Sequence, residues 1–67
     1  MQGIDESFIV EVAIRILNNT WRNIRIEVFA ANESEALRIA EQDIFEYADD
    51  MLVRIVEAHA LYIITDL

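Results

Sequence analysis

The chain has 67 residues, one glycine and no cysteine or proline, and its 13 acidic residues against five arginines set a formal net charge of −8. Those totals exclude a disulfide scaffold, a collagen-like repeat and a low-complexity linker, and they leave room for one core only. Hydrophobic residues make up 55% of the chain, which argues against disorder despite the charge, and the acidity argues against nonspecific binding to nucleic acid.

Residues 1–67 are read as a single domain, with 1–7 as a flexible N-terminus. Asp5 and Glu6 stand where a signal peptide carries basic residues, and the longest apolar run, Ala60 to Ile64, is far below the roughly 20 residues of a membrane helix. The expectation is a cytoplasmic protein with no membrane contact. Lacking cysteine, the chain carries no redox signal.

In chain order, Phe8, Val10, Val12, Ile14 and Ile16 alternate as the apolar face of a strand, with Ile9, Glu11, Ala13, Arg15 and Leu17 on the mixed face. Residues 18–23 are rich in turn formers and read as a hairpin loop, which places Trp21 and Arg22 at its tip. A second strand follows, with Ile24, Ile26, Val28 and Ala30 inward and Arg25, Glu27 and Phe29 outward. Arg15, Arg22, Arg25 and Arg54 are positioned to pair with Glu11, Glu27 and Glu57 across the sheet.

Asn32 has the character of a helix N-cap, and Glu33 and Glu35 in the first turn complement the dipole. Leu37, Ala40, Ile44 and Tyr47 form the core stripe, with Glu35, Arg38, Gln42, Glu46 and Asp49 opposite, and the helix is predicted to run to about Ala48. Met51 to Glu57 reads as a third strand, Ala58-His59-Ala60 as a turn, and Leu61 to Thr65 as a fourth strand. A rival reading continues the helix through residue 62, but it sets Arg54 in the apolar seam. The fold class is therefore α+β: a small antiparallel sheet in ββαββ order with one amphipathic helix across one face.

One helix covers one sheet face, yet Ile9, Leu17 and Phe29 lie on the other. Either this is ordinary surface composition, or a second buried face is supplied by a homodimer or a partner protein. Catalysis has little support: two serines, one histidine and no cysteine give no nucleophile with a base at a suggestive spacing, and the single glycine precludes a phosphate-binding loop. His59 reads as structural. Asp43, Glu46, Asp49 and Asp50 crowd oxygens near the helix end, but they lack the calcium-loop pattern and read as a solvated face. No cofactor or metal is expected.

Charge location carries the most weight. Between Glu33 and Asp50 there are seven acids and one base, a net −6 of the total −8. Acids at the helix C-terminus oppose the macrodipole. Solubility is the plain account of such a face; the sharper one is competition with DNA for a basic protein surface. Trp21 and Arg22 are of the residue types most often found as interface anchors, although a loop Trp can equally fold back on its own hairpin.

The two alternating strands, the helix opening Ala30-Ala31-Asn32-Glu33-Ser34-Glu35-Ala36-Leu37-Arg38-Ile39-Ala40-Glu41, and the stretch Met51-Leu52-Val53-Arg54-Ile55-Val56-Glu57 with its closing strand give the chain a resemblance. It resembles small proteins of phages and mobile elements, among them the DpnD/PcfM-like group and some anti-CRISPR proteins that inhibit type I surveillance complexes. The resemblance implies a one-layer antiparallel sheet crossed by one helix, and a non-enzymatic role in obstructing a larger nucleoprotein machine. The expected partner is a host protein or nucleoprotein complex with a basic surface. The expected binding residues are Trp21, Arg22, Glu35, Glu41, Asp43, Glu46, Asp49 and Asp50. A homo-oligomeric accessory module with an acidic solvated helix is the rival.

Overall fold

The computed structural model describes residues 5–17, 19–50 and 54–64. Among them the chain forms strands β1 (Glu6–Ile16) and β2 (Thr20–Ala30), helix α1 (Glu33–Asp50) and strand β3 (Ile55–Ile64). The sheet is antiparallel in the order β2-β1-β3, so the first strand is central and both others are edges. Glu6 and Ser7 belong to β1 rather than to a flexible N-terminus; residues 1–4 lie outside the described residues.

The β1–β2 ladder runs without interruption from Glu6↔Ala30 to Ile16↔Thr20. Its connection is only residues 17–19, closed by the Asn19 N–H donating to the Ile16 carbonyl at 2.8 Å. Asn19 has φ 66°, the left-handed conformation that ends a three-residue hairpin loop and that Asn adopts more readily than most residues. The expected loop at 18–23 is thus too long. Trp21, Arg22 and Asn23 are strand residues on alternating faces, so Trp21 and Arg22 project to opposite sides of the sheet.

The remaining alternation holds. Val10, Val12, Ile14, Ile26, Val28 and Ala30 are buried under the helix, with Phe8, Ile16 and Ile24 packed around them. Asn32 caps α1, its Oδ1 accepting from the Glu35 N–H at 2.9 Å, while Glu35 Oε1 reaches back to the Ala31 N–H at 3.0 Å. The first bond satisfies a donor that the first turn would otherwise leave open, and the second ties the residue before the cap to the helix. The buried stripe is Ala36, Ala40, Ile44 and Ala48, with Leu37 and Ile39 on its margins. Tyr47, expected in the core, is 46% exposed. The alanines bring the helix backbone close to the sheet, and the bulky ring is left at the flank.

After the helix the order is ββαβ, not ββαββ. Leu61 to Ile64 continues the strand that begins at Ile55, and Ala58-His59-Ala60 lies in its middle rather than in a turn. That tripeptide has no Gly, Pro or Asn to reverse the chain. Ala58 and Ala60 pair with Ile14 and Val12 on the helix-covered face, where a small side chain leaves space for α1. Two register shifts make Leu61 and Val56 extra residues in β3, as in a β-bulge. Met51–Val53 and Thr65, assigned above to the third and fourth strands, lie outside the described residues.

Candidate functional site

The helix presents its charge outward. Glu33, Asp43, Glu46 and Asp49 are exposed, and among the described residues no helix side chain takes part in an ion pair. The last helical turn contains no base, although its carbonyls would favour one. Phe45, 45% exposed, stands in this acidic field. Glu41 and Asp49 are its i−4 and i+4 neighbours, so the three share one ridge of the helix.

Two carboxylates of the expected set have local work. Glu35 completes the N-cap. Glu41 Oε2 accepts a 3.0 Å hydrogen bond from the backbone N–H of Ala60, beside the bulge at Leu61. The second edge of the sheet is therefore broken by two bulges and partly occupied by a helix side chain, both recognised devices for blunting an edge strand.

The β2 edge is different. It is regular over 11 residues, and a groove of about 240 Å³ runs beside it, lined by Ile26, Glu27, Asp43, Glu46 and Tyr47. Three of those five residues are acidic. Further toward the hairpin, a second cleft of about 160 Å³ lies between the helix end and the sheet, lined by Ile14, Ile16, Arg22, Ile24, Tyr47, Ala48 and Ile55. It follows from length: 18 helical residues span about 27 Å, whereas 11 strand residues span about 36 Å, so the sheet overhangs the helix.

The sheet face away from the helix carries a different chemistry. Glu57 Oε1 accepts from Arg15 Nε at 2.9 Å, and Glu57 Oε2 lies 2.5 Å from His59 Nε2. These two bonds, the His59 bond foremost, hold the Glu57 carboxyl below its ordinary range. His59 in turn stacks on Trp21. In the next rows Arg25 Nε donates to Glu11 Oε1 at 2.9 Å, and Ser7 Oγ donates to Glu27 Oε2. Glu11 is buried, but its partner satisfies it, and among the described residues no buried side-chain polar atom lacks a partner. The pairing of Arg15 and Arg25 with Glu57 and Glu11 agrees with the cross-strand expectation. Phe29 and Tyr62 are exposed on the same face.

The eight expected binding residues thus do not form one site. Asp43, Glu46 and Asp49 share the exposed side of the helix, and Glu41 is turned toward β3. Trp21 is part of the open sheet face, and Arg22 lines the apolar cleft on the helix side. Asp50 is the last residue of the helix. Sequence reading missed Phe45, for which an apolar residue four positions from acids on both sides was the available signal.

Among the described residues no group of three or more His, Asp or Glu side chains is placed to hold a metal ion, and no helix is long and apolar enough to cross a membrane. No family model matches the chain, and neither a curated protein nor a solved structure is significantly similar to it.

Proposed function

We propose that the chain is a non-catalytic docking protein that lays the outer face of α1 on a basic, nucleic-acid-binding surface of a larger complex. This is the role of an anti-CRISPR-like inhibitor. The observation that carries the reading is the segregation of charge. The ion pairs found lie on the open sheet face, whereas the helix carboxylates Asp43, Glu46 and Asp49 face solvent without one among the described residues. Carboxylates so arranged steer a basic surface toward the helix, and Phe45 supplies an apolar anchor beside Asp49. The mode is occupancy, so no residue is assigned a chemical step.

The test is a pull-down from lysate of bacteria carrying active defence systems, washed at low and then high salt, with wild-type protein and the variant Phe45→Ala/Glu46→Lys/Asp49→Lys. Salt-sensitive recovery of a nucleic-acid-handling complex by the wild type alone is the expected result, since screening shortens to about 3 Å at 1 M salt. Equal recovery by both proteins rejects the docking face.

A second reading, self-association through the open sheet face, is favoured by the exposure of Trp21, Phe29 and Tyr62 there. Sedimentation of a stable dimer that dissociates on Phe29→Glu substitution would support it.

A further inference from the structure

We infer that the unpaired edge of β2 receives an extended, basic polypeptide segment of the partner as a fourth strand, its cationic side chains set over the groove between β2 and α1. This refines, and rests on, the reading that the partner is basic.

The two edges of the sheet are not equivalent. An edge strand exposes the outward N–H and C=O groups of every second residue and so templates another strand unless it is blunted. β3 is blunted by its register shifts at Leu61 and Val56 and by Glu41 on the Ala60 N–H. β2 has neither device. It is 11 residues long, in continuous register with β1, and rich in strand formers: Thr20, Trp21, Ile24, Ile26, Val28 and Phe29. Strand addition at such an edge draws affinity from main-chain hydrogen bonds and specificity from alternate side chains.

The groove determines the sign of those side chains. Ile26 and Glu27 form its strand side, with the Glu27 carboxylate turned to Ser7 on the open face, and Asp43 and Glu46 overhang it from the helix. Side chains of an added strand that point to the helix side come beneath Asp43 and Glu46, where lysine or arginine is complementary and an acid is repelled.

The same carboxylates select against a second copy of this chain. Full-length antiparallel pairing of β2 with itself sets the two-fold axis at Arg25, the midpoint of Thr20–Ala30. The groove at Ile26 and Glu27 is next to that axis, so Asp43 and Glu46 of the two copies would meet. Like charges across an interface suppress that partner.

The probe is a capped eight-residue peptide alternating lysine and threonine, titrated at low salt and followed by amide hydrogen exchange. Its controls are the glutamate–threonine peptide and the lysine peptide methylated at every backbone nitrogen. The expected result is slowed exchange at alternate β2 amides with the first peptide only. Asp43→Lys should weaken its binding about tenfold or more, while Phe45→Ala/Asp49→Lys leaves it within about twofold. The inference is overturned if β2 amides gain no protection, if the methylated peptide protects equally, or if the groove variant binds like the wild type. It is also overturned if the unliganded protein is a dimer with β2 amides already protected. Failure here alongside salt-sensitive capture of a basic complex rejects the added strand and keeps the docking face; failure of both rejects the docking face too.

Discussion

Trp21 on β2 and His59 on β3 stack across the central strand, their ring centroids 6.2 Å apart and their planes 21° from parallel. The contact spans two ladders because Ala13, the β1 residue paired with His59, carries only a methyl group between them. It also ends a chain of contacts running through Glu57 to Arg15, so the three strands are tied together at the hairpin end on the face the helix leaves open.

Removing either ring should therefore loosen that end. His59→Ala is expected to cost about 0.5–1.5 kcal/mol and to shift the emission of Trp21, the chain's sole tryptophan. Ala13→Leu should produce the same spectral change with both rings present. Urea unfolding and fluorescence spectra check both, and an unaltered spectrum in His59→Ala would mean that the stack does not persist in solution.

Glu57 makes this cluster acid-sensitive. Its carboxyl is held below the ordinary glutamate value of 4.5 by hydrogen bonds from His59 and then Arg15. A carboxyl with a depressed folded-state pKa contributes stability above its unfolded value, and the contribution is lost as pH falls through the folded value. Wild type and Glu57→Gln should thus differ most above pH 4.5 and converge below it. Thermal melts at several pH values measure this, and a constant gap down to strongly acidic pH would remove Glu57 from the account.

Glu41 should behave as a structural residue among acids that otherwise face water. Replacing it with Ala leaves the Ala60 N–H to solvent, at a cost of about 0.5–1.5 kcal/mol, and speeds exchange of that one amide. A glutamine side chain keeps an acceptor at the same reach, so Glu41→Gln should retain most of the protection. Equal exchange in all three proteins would show that the contact is not maintained.

Much of the fold was legible because burial imposes a period. Val10, Val12, Ile14, Ile26 and Val28 alternate as required by a sheet with one covered face, and Asn32 with Glu35 marks the start of the helix in the chemistry of the cap itself. The errors fall where local composition and tertiary placement disagree. Asn23 reads as a turn former, but it lies within β2, and the left-handed residue of the hairpin is Asn19, so the strand reached back to include Trp21 and Arg22. Ala58 and Ala60 look like weak turn residues because alanine has low strand propensity, whereas their small size suits the space beneath the helix. The candidate site was legible as a charge count and not as a surface. The stripe Ala36, Ala40, Ile44 and Ala48 puts Glu41 and Asp43, two positions apart, on opposite flanks of α1. Which flank meets β3 and which meets β2 comes from the direction in which the helix lies on the sheet.

The turn and the cap offer a direct check of this local chemistry. Asn19→Gly should be close to neutral, whereas Asn19→Val, forced into the left-handed region, should lose about 1–2 kcal/mol. Asn32→Ala should cost about 1 kcal/mol. Chemical denaturation of the three variants suffices, and a neutral Asn19→Val would place the hairpin turn in another conformation.

Asp49 separates stability from function most sharply. It lies in the last turn of α1, where a negative charge opposes the exposed carbonyls and no basic residue offsets it. Asp49→Lys should raise stability by about 0.3–1 kcal/mol at low ionic strength, with salt eroding the gain. The docking reading requires the same substitution to weaken partner binding, because it inverts a charge on the face that meets the basic surface. Opposite signs in the two measurements would be the mark of a residue retained for binding at the helix's expense. A variant more stable and equally competent would leave Asp49 as a solubilising charge and shift the docking role to Phe45 and Glu46.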